Sequence, residues 1–423
     1  MAAVAPADLP RLADAEWLVR GETRAVFAAL AAAGFATKVV GGAVRNALLG
    51  RPVVDVDMAT TARPEAIIAA AKAAGLTAVP SGIDHGTVTL LVNRLAYEVT
   101  TLREDVETHG RRARVAFTDD WAADARRRDF TINALYCGAD GEVLDPLGGY
   151  ADLAARRVRF IGTAGERIGE DYLRILRFFR FTAEYAEGPP DAEGIAACVA
   201  GRAGLARLSA ERVRQELFRL LVAPRGPELV DWMLAYGLIV SVLGLAPRPT
   251  LLARIAEIER ALAFAPDAIV RLAALGVEVG EDADRLRERL RLSNEEHARL
   301  GDAANPLPEV GLSAGEAAAK AWLFRAGENA YRQRILLAWA RSGNPASSAA
   351  WRDRVLLPAR WRAPRFPLGG EDVLALGVPA GPRVGAILRQ LEDWWIAGTF
   401  AADECALRER LQALACGPRS GDG

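Results

Sequence analysis

The chain has 423 residues and a formal net charge of −1, so it exceeds one ordinary hydrophobic core and its total charge does not indicate a nucleic-acid partner. No apolar run reaches the ~18 residues that a membrane span requires, and the acidic start lacks the pattern of a signal peptide. No CxxC pair occurs, which argues against a disulfide framework or a zinc knuckle. We therefore expect a cytoplasmic protein without membrane contact, with buried thiols at Cys137, Cys198, Cys405 and Cys416.

The first hundred residues predict a small mixed α/β region. Apolar spacing predicts helices at 17–34, 43–49 and 64–74. Alternating β-branched residues predict strands at 37–40, 53–58, 87–92 and 95–101, and Asn93-Arg94 is typical of a tight turn. The charged segment 102–118 that follows is predicted to form a mobile loop or a ribbon.

From about residue 165 the apolar residues recur at helical spacing only, which predicts an all-helical remainder. Proline-rich joints at 188–190, 247–249 and 358–367 are candidate linkers. The predicted fold class is α+β, with a mixed-sheet head followed by helices. Predicted helices are 174–181, 209–222, 227–242, 251–264, 283–292, 314–325 and 384–395.

Asp55 and Asp57 lie two residues apart on a predicted strand, so their side chains share one face. Two carboxylates held this close repel each other unless a cation lies between them. Oxygen ligands near phosphate favour Mg²⁺. The pair alone is a weak signal, because exposed acidic pairs are common.

The residues around the aspartate pair strengthen the interpretation of the pair as a metal site. Gly41-Gly42 follows a predicted strand and precedes a helix, where glycine lets backbone N–H groups approach a phosphate. Arg45 follows within the first turn and can add positive charge. Glu98 lies on a later strand with one polar face, and a third carboxylate can bind a metal or accept a proton. Simpler alternatives are a tight turn with a solvated arginine and a solvent-facing strand glutamate.

Six short motifs follow in order along the first 225 residues: 40–45 (VGGAVR), 55–57 (DVD), 127–134 (RRDFTINA), 145–149 (DPLGG), 170–174 (EDYLR) and 209–217 (SAERVRQEL). In this order and spacing they resemble the class II CCA-adding enzyme and bacterial poly(A) polymerase family, within the polymerase-β nucleotidyltransferase superfamily. Asn46 departs from the family pattern, which usually has aspartate there.

The resemblance implies a role for each matching position. Asp55 and Asp57 would bind Mg²⁺ for two-metal phosphoryl transfer. Asp129 would hold the fork of Arg128 in place. The other residues implied to bind the nucleotide are Gly42, Arg45, Asn133, Asp171, Arg174, Arg177 and Arg180.

Asp171 and Arg174 are implied to read the base. If they share a helix, residues three apart lie on one face. Aspartate accepts and arginine donates. Cytosine and adenine each offer an amino donor beside a ring-nitrogen acceptor, which fits this pair, whereas uracil and guanine present the reverse pattern. A mismatch would leave polar groups unsatisfied at roughly 1–3 kcal/mol each.

The resemblance implies CCA addition to tRNA from CTP and ATP. Segment 102–117 is similar to the loop that full CCA-adding enzymes keep, and 369–385 is similar to their tRNA-binding tail. Poly(A) addition and partial A- or CC-addition remain alternatives. So do an RNA-binding module without catalysis and an antibiotic- or protein-modifying nucleotidyltransferase. The expected domains are a head at 1–150, a neck at 151–225, a body at 226–365 and a tail at 366–423.

Overall fold

The computed structural model describes residues 9–109, 112–304 and 311–416. The chain forms two compact units that divide between Gly244 and Leu245. The first unit combines a mixed sheet with helices and the second is helical, so the predicted α+β class is confirmed. Boundaries of the four expected domains stay predictions. In the described part of the chain, no helix combines the length and the apolar character needed to cross a membrane.

The sheet of the first unit has seven strands in the order β3-β4-β5-β2-β1-β8-β9. Only β2 and β5 pair in parallel; the other neighbours are antiparallel. A separate ribbon joins β6 to β7. The strands are β1 (Thr37–Val40), β2 (Met58–Thr60), β3 (Thr77–Gly82), β4 (Thr87–Val92), β5 (Leu95–Thr101), β6 (Arg103–His109), β7 (Arg112–Phe117), β8 (Tyr136–Cys137) and β9 (Val143–Leu144).

Twelve α-helices of the first unit lie within its described residues. Gly237 has a φ of +68° and interrupts the helix predicted at 227–242, so two helices replace it. The helices are α1 (Glu16–Val19), α2 (Gly21–Ala32), α3 (Gly42–Leu48), α4 (Pro64–Ala73), α5 (Trp121–Arg126), α6 (Gly149–Ala154), α7 (Ala164–Glu170), α8 (Leu173–Tyr185), α9 (Ala192–Ala200), α10 (Ala210–Val222), α11 (Gly226–Ala235) and α12 (Leu238–Leu243).

The strand predicted at 53–58 is wrong in its extent, because regular pairing begins only at Met58. The extended alternation nevertheless holds just before it. Val56 is buried, whereas Asp55 and Asp57 on either side are exposed. Both aspartates therefore face the same side, as their spacing predicts.

The second unit is helical throughout its described residues, and α17 is kinked at Gly327, where φ is +79°. A core at its C-terminal end includes Val373, Leu391 and Leu407, all fully buried. The helices are α13 (Pro249–Ala261), α14 (Ala268–Gly276), α15 (Gly280–Leu290), α16 (Asn294–Ala304), α17 (Glu316–Ser342), α18 (Ala349–Val355), α19 (Leu357–Arg360), α20 (Gly370–Ala375), α21 (Pro382–Ala397) and α22 (Glu404–Ala415).

All four cysteines are free thiols. Cys137 and Cys198 are buried as expected, but Cys405 and Cys416 are exposed near the two ends of α22. The expectation of four buried thiols is therefore wrong for this pair, because the sequence around them does not indicate which face of the helix packs inward.

Candidate active site

Asp57 directly precedes β2, an inner strand of the sheet, and backbone contacts hold it on both sides. Its carbonyl accepts a hydrogen bond of 2.9 Å from the N–H of Val40 at the end of β1. On the other side Met58 pairs with Val99 in the parallel β2–β5 ladder. The preceding residues, Asp57 and Glu98, therefore lie side by side on neighbouring strands.

This arrangement concentrates negative charge. The protein atoms packed around Asp57 raise its pKa to about 6, the charges of Glu98 and Asp55 raise it as well, and Arg128 opposes the shift. Asp57 is nonetheless accessible from solvent. A cation near Asp57 would therefore stabilise its ionised form.

The turn between β1 and α3 depends on glycine. Gly41 has a φ of +73°, a region that favours glycine. Its N–H donates to the carbonyl of Leu135 at 3.0 Å. A Cβ here would lie 3.6 Å from the carbonyl oxygen of Asn133 and 3.7 Å from Arg128 Nη1. The backbone of this turn therefore runs close to the arginine.

Arg45 is a buried cation that makes no direct ion pair with a carboxylate among the described residues, although the charge of Glu184 acts on it. Its guanidinium donates to Asn133 Oδ1 and, at 2.8 Å, to the hydroxyl of Tyr185. The guanidinium carbon lies 4.1 Å from the ring centroid of Tyr185 and 5.2 Å from that of Phe181. Burial lowers the pKa of Arg45. An anionic ligand would supply a negatively charged hydrogen-bond partner for the Arg45 guanidinium.

Asn46 keeps this cluster together without adding charge. Its Oδ1 accepts from Arg45 Nη2 at 3.1 Å and lies 3.3 Å from the Tyr185 hydroxyl. Its amide nitrogen donates to the carbonyl of Pro52 at 3.2 Å, a bond that a carboxylate could not make. Asparagine at this position therefore holds Arg45 without placing a negative charge against it.

Arg128 is anchored by Asp124, not by Asp129 as the sequence interpretation expects. Arg128 Nη2 lies 3.0 Å from Asp124 Oδ2, and the hydroxyl of Tyr136 donates to the same oxygen at 2.7 Å. Asp124 is buried, yet Arg128 and Arg127 hold its pKa below the ordinary value despite the opposing effect of burial. The carboxylate thus stays charged and fixes the arginine.

Asp129 instead binds Arg177 on α8. Arg177 donates to Asp129 Oδ2 through Nε at 2.8 Å and Nη2 at 2.6 Å. The other oxygen of Asp129 accepts from Asn133 Nδ2 at 2.9 Å. Glu216 on α10 accepts from Arg180 Nε at 2.5 Å and from Arg177 Nη1 at 3.4 Å. Buried carboxylates therefore set the positions of Arg177 and Arg180 from behind.

Aromatic packing fixes α8 against the strand-and-turn region that carries Arg128. Phe130 lies 5.1 Å from Phe181 and 6.3 Å from Phe178, measured between ring centroids. Phe178 also stacks on Phe160 at 5.4 Å. Burying each such ring stabilises the fold by roughly 1.5–3 kcal/mol. The arginines on α8 consequently project from a rigid support.

Asp171 and Arg174 do not share a helix face. α7 ends at Glu170 and α8 begins at Leu173, so Asp171 lies in an extended position between them. The expected arrangement on one helix is therefore wrong. Arg174 pairs with Glu170 and donates to the carbonyl of Arg167 at 2.7 Å.

These side chains meet in one pocket of about 570 Å³ in the first unit. It contains ten of the twelve predicted site residues; Asp55 and Glu98 are outside its lining. Seven arginines and three aspartates line it, so positive charge predominates. The lining residues are Val40, Gly41, Gly42, Arg45, Asp57, Arg128, Asp129, Asn133, Asp171, Leu173, Arg174, Arg177, Arg180, Phe181, Arg212 and Arg219.

Comparison with known proteins identifies the family. Residues 37–159 match the Poly A polymerase head domain. The chain is 35% identical over 386 residues to CCA tRNA nucleotidyltransferase 1, mitochondrial, of Danio rerio, covering 85% of this chain and 83% of that protein. The chain belongs to the CCA tRNA nucleotidyltransferase family. It is also 32% identical over 383 residues to the CCA-adding enzyme of Lactobacillus gasseri, covering 90% and 94%.

The fold agrees with this family. The solved structure of the Bacillus stearothermophilus CCA-adding enzyme in complex with CTP superimposes with a TM-score of 0.73 and 28% identity, covering 93% of this chain and 96% of that one. The chain is therefore a nucleotidyltransferase with a mixed-sheet head and a helical body.

Nucleotidyltransferases of this family depend on a divalent metal. Across the described ranges, no three His, Cys, Asp or Glu side chains form a complete metal site by themselves. Asp55 and Asp57 still fit a metal that takes its remaining ligands from phosphate and water, as Mg²⁺ usually does. Burial and the charges of Glu98 and Asp55 raise the pKa of Asp57, so a cation bound there would stabilise its ionised form.

Sequence reasoning missed the carboxylates and phenols that hold the arginines. Asp124 could have been found, because it lies three and four residues before Arg127 and Arg128 on a short helix. Tyr185 carried no local signal, since its partner Arg45 lies 140 residues away in sequence.

The charge cluster at Asp57 leads to a stability prediction. Because folding raises its pKa from 3.8 to about 6, the ionised group destabilises the metal-free protein above pH 6 and has no such effect below pH 4. At pH 8 in EDTA, Asp57→Asn should therefore melt higher than the wild type. Solvent screening of this accessible group limits the gain to roughly 2–4 °C.

Differential scanning fluorimetry measures this effect. Adding MgCl₂ should raise the melting temperature of the wild type and leave Asp57→Asn unchanged. Glu65→Gln, an exposed carboxylate on α4, serves as the matched control and should respond as the wild type does. Equal stabilisation of Asp57→Asn by Mg²⁺ would contradict the metal assignment.

Proposed function

We propose that the chain adds CCA to the 3′ end of tRNA from CTP and ATP, without a template, and releases pyrophosphate. The observation that carries this proposal is the single pocket that joins Asp57 to a cluster of arginines and to Asp171 and Arg174. A carboxylate edge, a phosphate-binding surface and a base-reading pair are the three parts that such a reaction needs. The named relatives support the same activity.

The carboxylate edge would hold magnesium through Asp55 and Asp57. Magnesium, when bound there, would lower the pKa of the attacking 3′-hydroxyl and offset charge on the leaving pyrophosphate. Glu98 lies beside Asp57 and would either accept the hydroxyl proton or contribute a further ligand oxygen. These three side chains would therefore orient the nucleophile.

Triphosphate binding would fall to the glycine turn and the arginines. The backbone of Gly42 lines the pocket and would lie close to the triphosphate. Arg45 offers a buried positive charge that makes no direct ion pair with a carboxylate among the described side chains. Arg128 and Arg177 are held in place by carboxylates behind them. Arg180 extends the same charged surface along α8. Such positioned donors bind the triphosphate without reorganising during the reaction.

Asn133 and Asp129 would hold the nucleotide-binding side chains in position. Asp129 fixes Asn133 at 2.9 Å, and Asn133 in turn accepts from Arg45. Asp171 and Arg174 would then select the base by accepting from its amino group and donating to its ring nitrogen. Selection of C and A would thus come from protein side chains.

We further propose that the predicted tail at 366–423 binds the tRNA. The tail carries a glycine at 381 with a φ of +151°, and α21 begins directly after it with Arg383 in its first turn. Glycine turns and arginine are suited to phosphate contacts. The expected cytoplasmic location stays a prediction from the sequence.

Poly(A) polymerase is the second candidate, because the head matches a domain model named for that activity. Incubation of the protein with CTP, ATP and either tRNA lacking CCA or an unrelated RNA separates the two. Three residues added to tRNA alone support CCA addition. One or two residues mean partial addition, and long A tracts on unrelated RNA mean poly(A) synthesis.

A further inference from the structure

The outer face of β4 and β5 is accessible from solvent next to the carboxylates. Val88 and Leu90 on β4 are fully buried, so Thr89 between them faces the other side of the sheet. On that side Thr89 pairs directly with Glu98 on β5. Thr89 is partly exposed and Glu98 is exposed. A row of side chains therefore runs across the sheet from Asp57 through Glu98 to Thr89.

Hydroxyl groups surround Thr89 on this face. Ser81 on β3 is exposed, and its Oγ lies 2.7 Å from Thr89 Oγ1. In the next row Thr87 and Thr100 pair across the two strands, with 3.0 Å between their hydroxyl oxygens. Two hydroxyls that bond to each other keep one hydrogen and further lone pairs for an outside partner. The surface beside Glu98 can therefore both donate and accept hydrogen bonds.

The charge of this face disfavours a phosphate as its ligand. Serine and threonine are uncharged, and the carboxylate of Glu98 in the same row repels an anion. The arginines that suit a triphosphate line the pocket that includes Asp57, whereas Glu98 and these hydroxyl residues lie outside its lining. Asp57 thus lies where an arginine surface and a hydroxyl surface meet. A neutral ligand that carries hydroxyl groups fits the second surface.

The proposed reaction brings such a ligand to this point. In phosphoryl transfer the attacking and leaving oxygens are roughly in line, so they lie on opposite sides of the reacting phosphorus. With the triphosphate on the arginine surface, the terminal ribose of the acceptor approaches on the side of Glu98. Opposite residues on paired strands have Cβ atoms about 4.5–5.5 Å apart. A ribose whose 3′-oxygen faces Glu98 can therefore reach Thr89 with its adjacent 2′-oxygen.

We propose that Thr89, held by Ser81, forms a subsite for the terminal ribose of the RNA acceptor and binds its 2′-hydroxyl. The inference rests on the proposed function and adds to it a binding residue for the acceptor strand. The 2′-hydroxyl distinguishes RNA from DNA, and it can donate and accept as a threonine hydroxyl can. Thr89 thereby directs the 3′-hydroxyl toward the carboxylates and favours a ribose end over a deoxyribose end.

The test uses tRNA lacking CCA whose last residue is either the ordinary ribonucleotide or its 2′-deoxy form. The readout is the ratio of kcat/KM for CMP addition to the two acceptors, measured on the same preparation, so that a partly inactive preparation does not change it. Thr89→Val keeps a β-branched strand residue and removes the hydroxyl. It should lower the ratio about threefold to tenfold, the effect of one hydrogen bond, by slowing addition to the ribose end alone. Thr89→Ser keeps the hydroxyl and should retain the wild-type ratio.

Thr77→Val is the matched control, because Thr77 is an exposed threonine at the start of β3 that pairs with Leu91, outside the row of Thr89 and Glu98. It should keep the wild-type ratio. Four results would each overturn the inference alone: no preference for the ribose end in the wild type, a wild-type ratio in Thr89→Val, equal slowing of that variant on both acceptors, or the same loss in Thr77→Val or Thr89→Ser. If the wild type adds CMP to neither acceptor, the proposed function fails instead.

Discussion

Asp57→Asn is expected to lower kcat/KM for nucleotide addition at least about a thousandfold. The substitution keeps the shape of the side chain and removes the charge that a divalent metal requires. Of Asp55, Asp57 and Glu98, only Asp57 lines the nucleotide pocket, and burial together with the charges of the other two raises its pKa. Steady-state incorporation of CTP into tRNA lacking CCA measures the loss.

Asp55→Asn should show a comparable loss, because both carboxylates face the same side of the extended segment. Binding of tRNA, measured by filter retention, should persist in both variants, since neither change touches the helical regions proposed to bind RNA. Near-normal turnover in either variant would refute the metal assignment, whereas loss of tRNA binding would indicate a folding defect.

Asp171→Ala should abolish most discrimination among nucleotides. The alanine cannot accept from the amino group of cytosine or adenine, and it removes the repulsion that uracil and guanine oxygens meet. We expect the preference for CTP over UTP to fall about a hundredfold, which corresponds to one or two unsatisfied polar groups. Competition between CTP and UTP on one tRNA, read by sequencing the added residues, reports the change.

Arg174→Ala provides the complementary result. It removes the donor to the ring nitrogen while leaving in place the ion pair of Asp171 with Arg212, whose Nη2 lies 2.6 Å from Asp171 Oδ2. Discrimination should fall here too, with a larger rise in the KM of CTP and ATP because a favourable contact is lost. Unchanged rejection of UTP and GTP by both variants would show that the base is read elsewhere.

The metal side of the site could be predicted from sequence because its signals are local. A glycine pair that follows a strand, and two aspartates that alternate with a buried valine, lie within about twenty residues of each other. Their relative positions therefore follow from local backbone geometry. The arginine side could be predicted only as a set of residues. Their anchors come from distant segments: Glu216 lies 36 residues after Arg180, and Arg212 lies 41 residues after Asp171.

The same distinction explains the errors. Asp129 and Arg128 are neighbours in sequence, yet adjacent residues point in different directions, so Asp129 meets Arg177 and Arg128 meets Asp124. The strands that were missed include β8 and β9, which have two residues each and show no period. The prediction that Asp171 and Arg174 share one helix face was wrong, because α7 ends at Glu170 and α8 begins only at Leu173.

The most direct test supplies each nucleotide singly to the wild type and resolves the products to one residue. CTP alone should extend tRNA lacking CCA by two residues and then stop. ATP alone should extend tRNA ending in CC by one residue, and UTP and GTP should extend neither. Efficient addition of UMP or GMP, or a run of A residues from ATP, would contradict the claim that this pocket selects C and A for a CCA end.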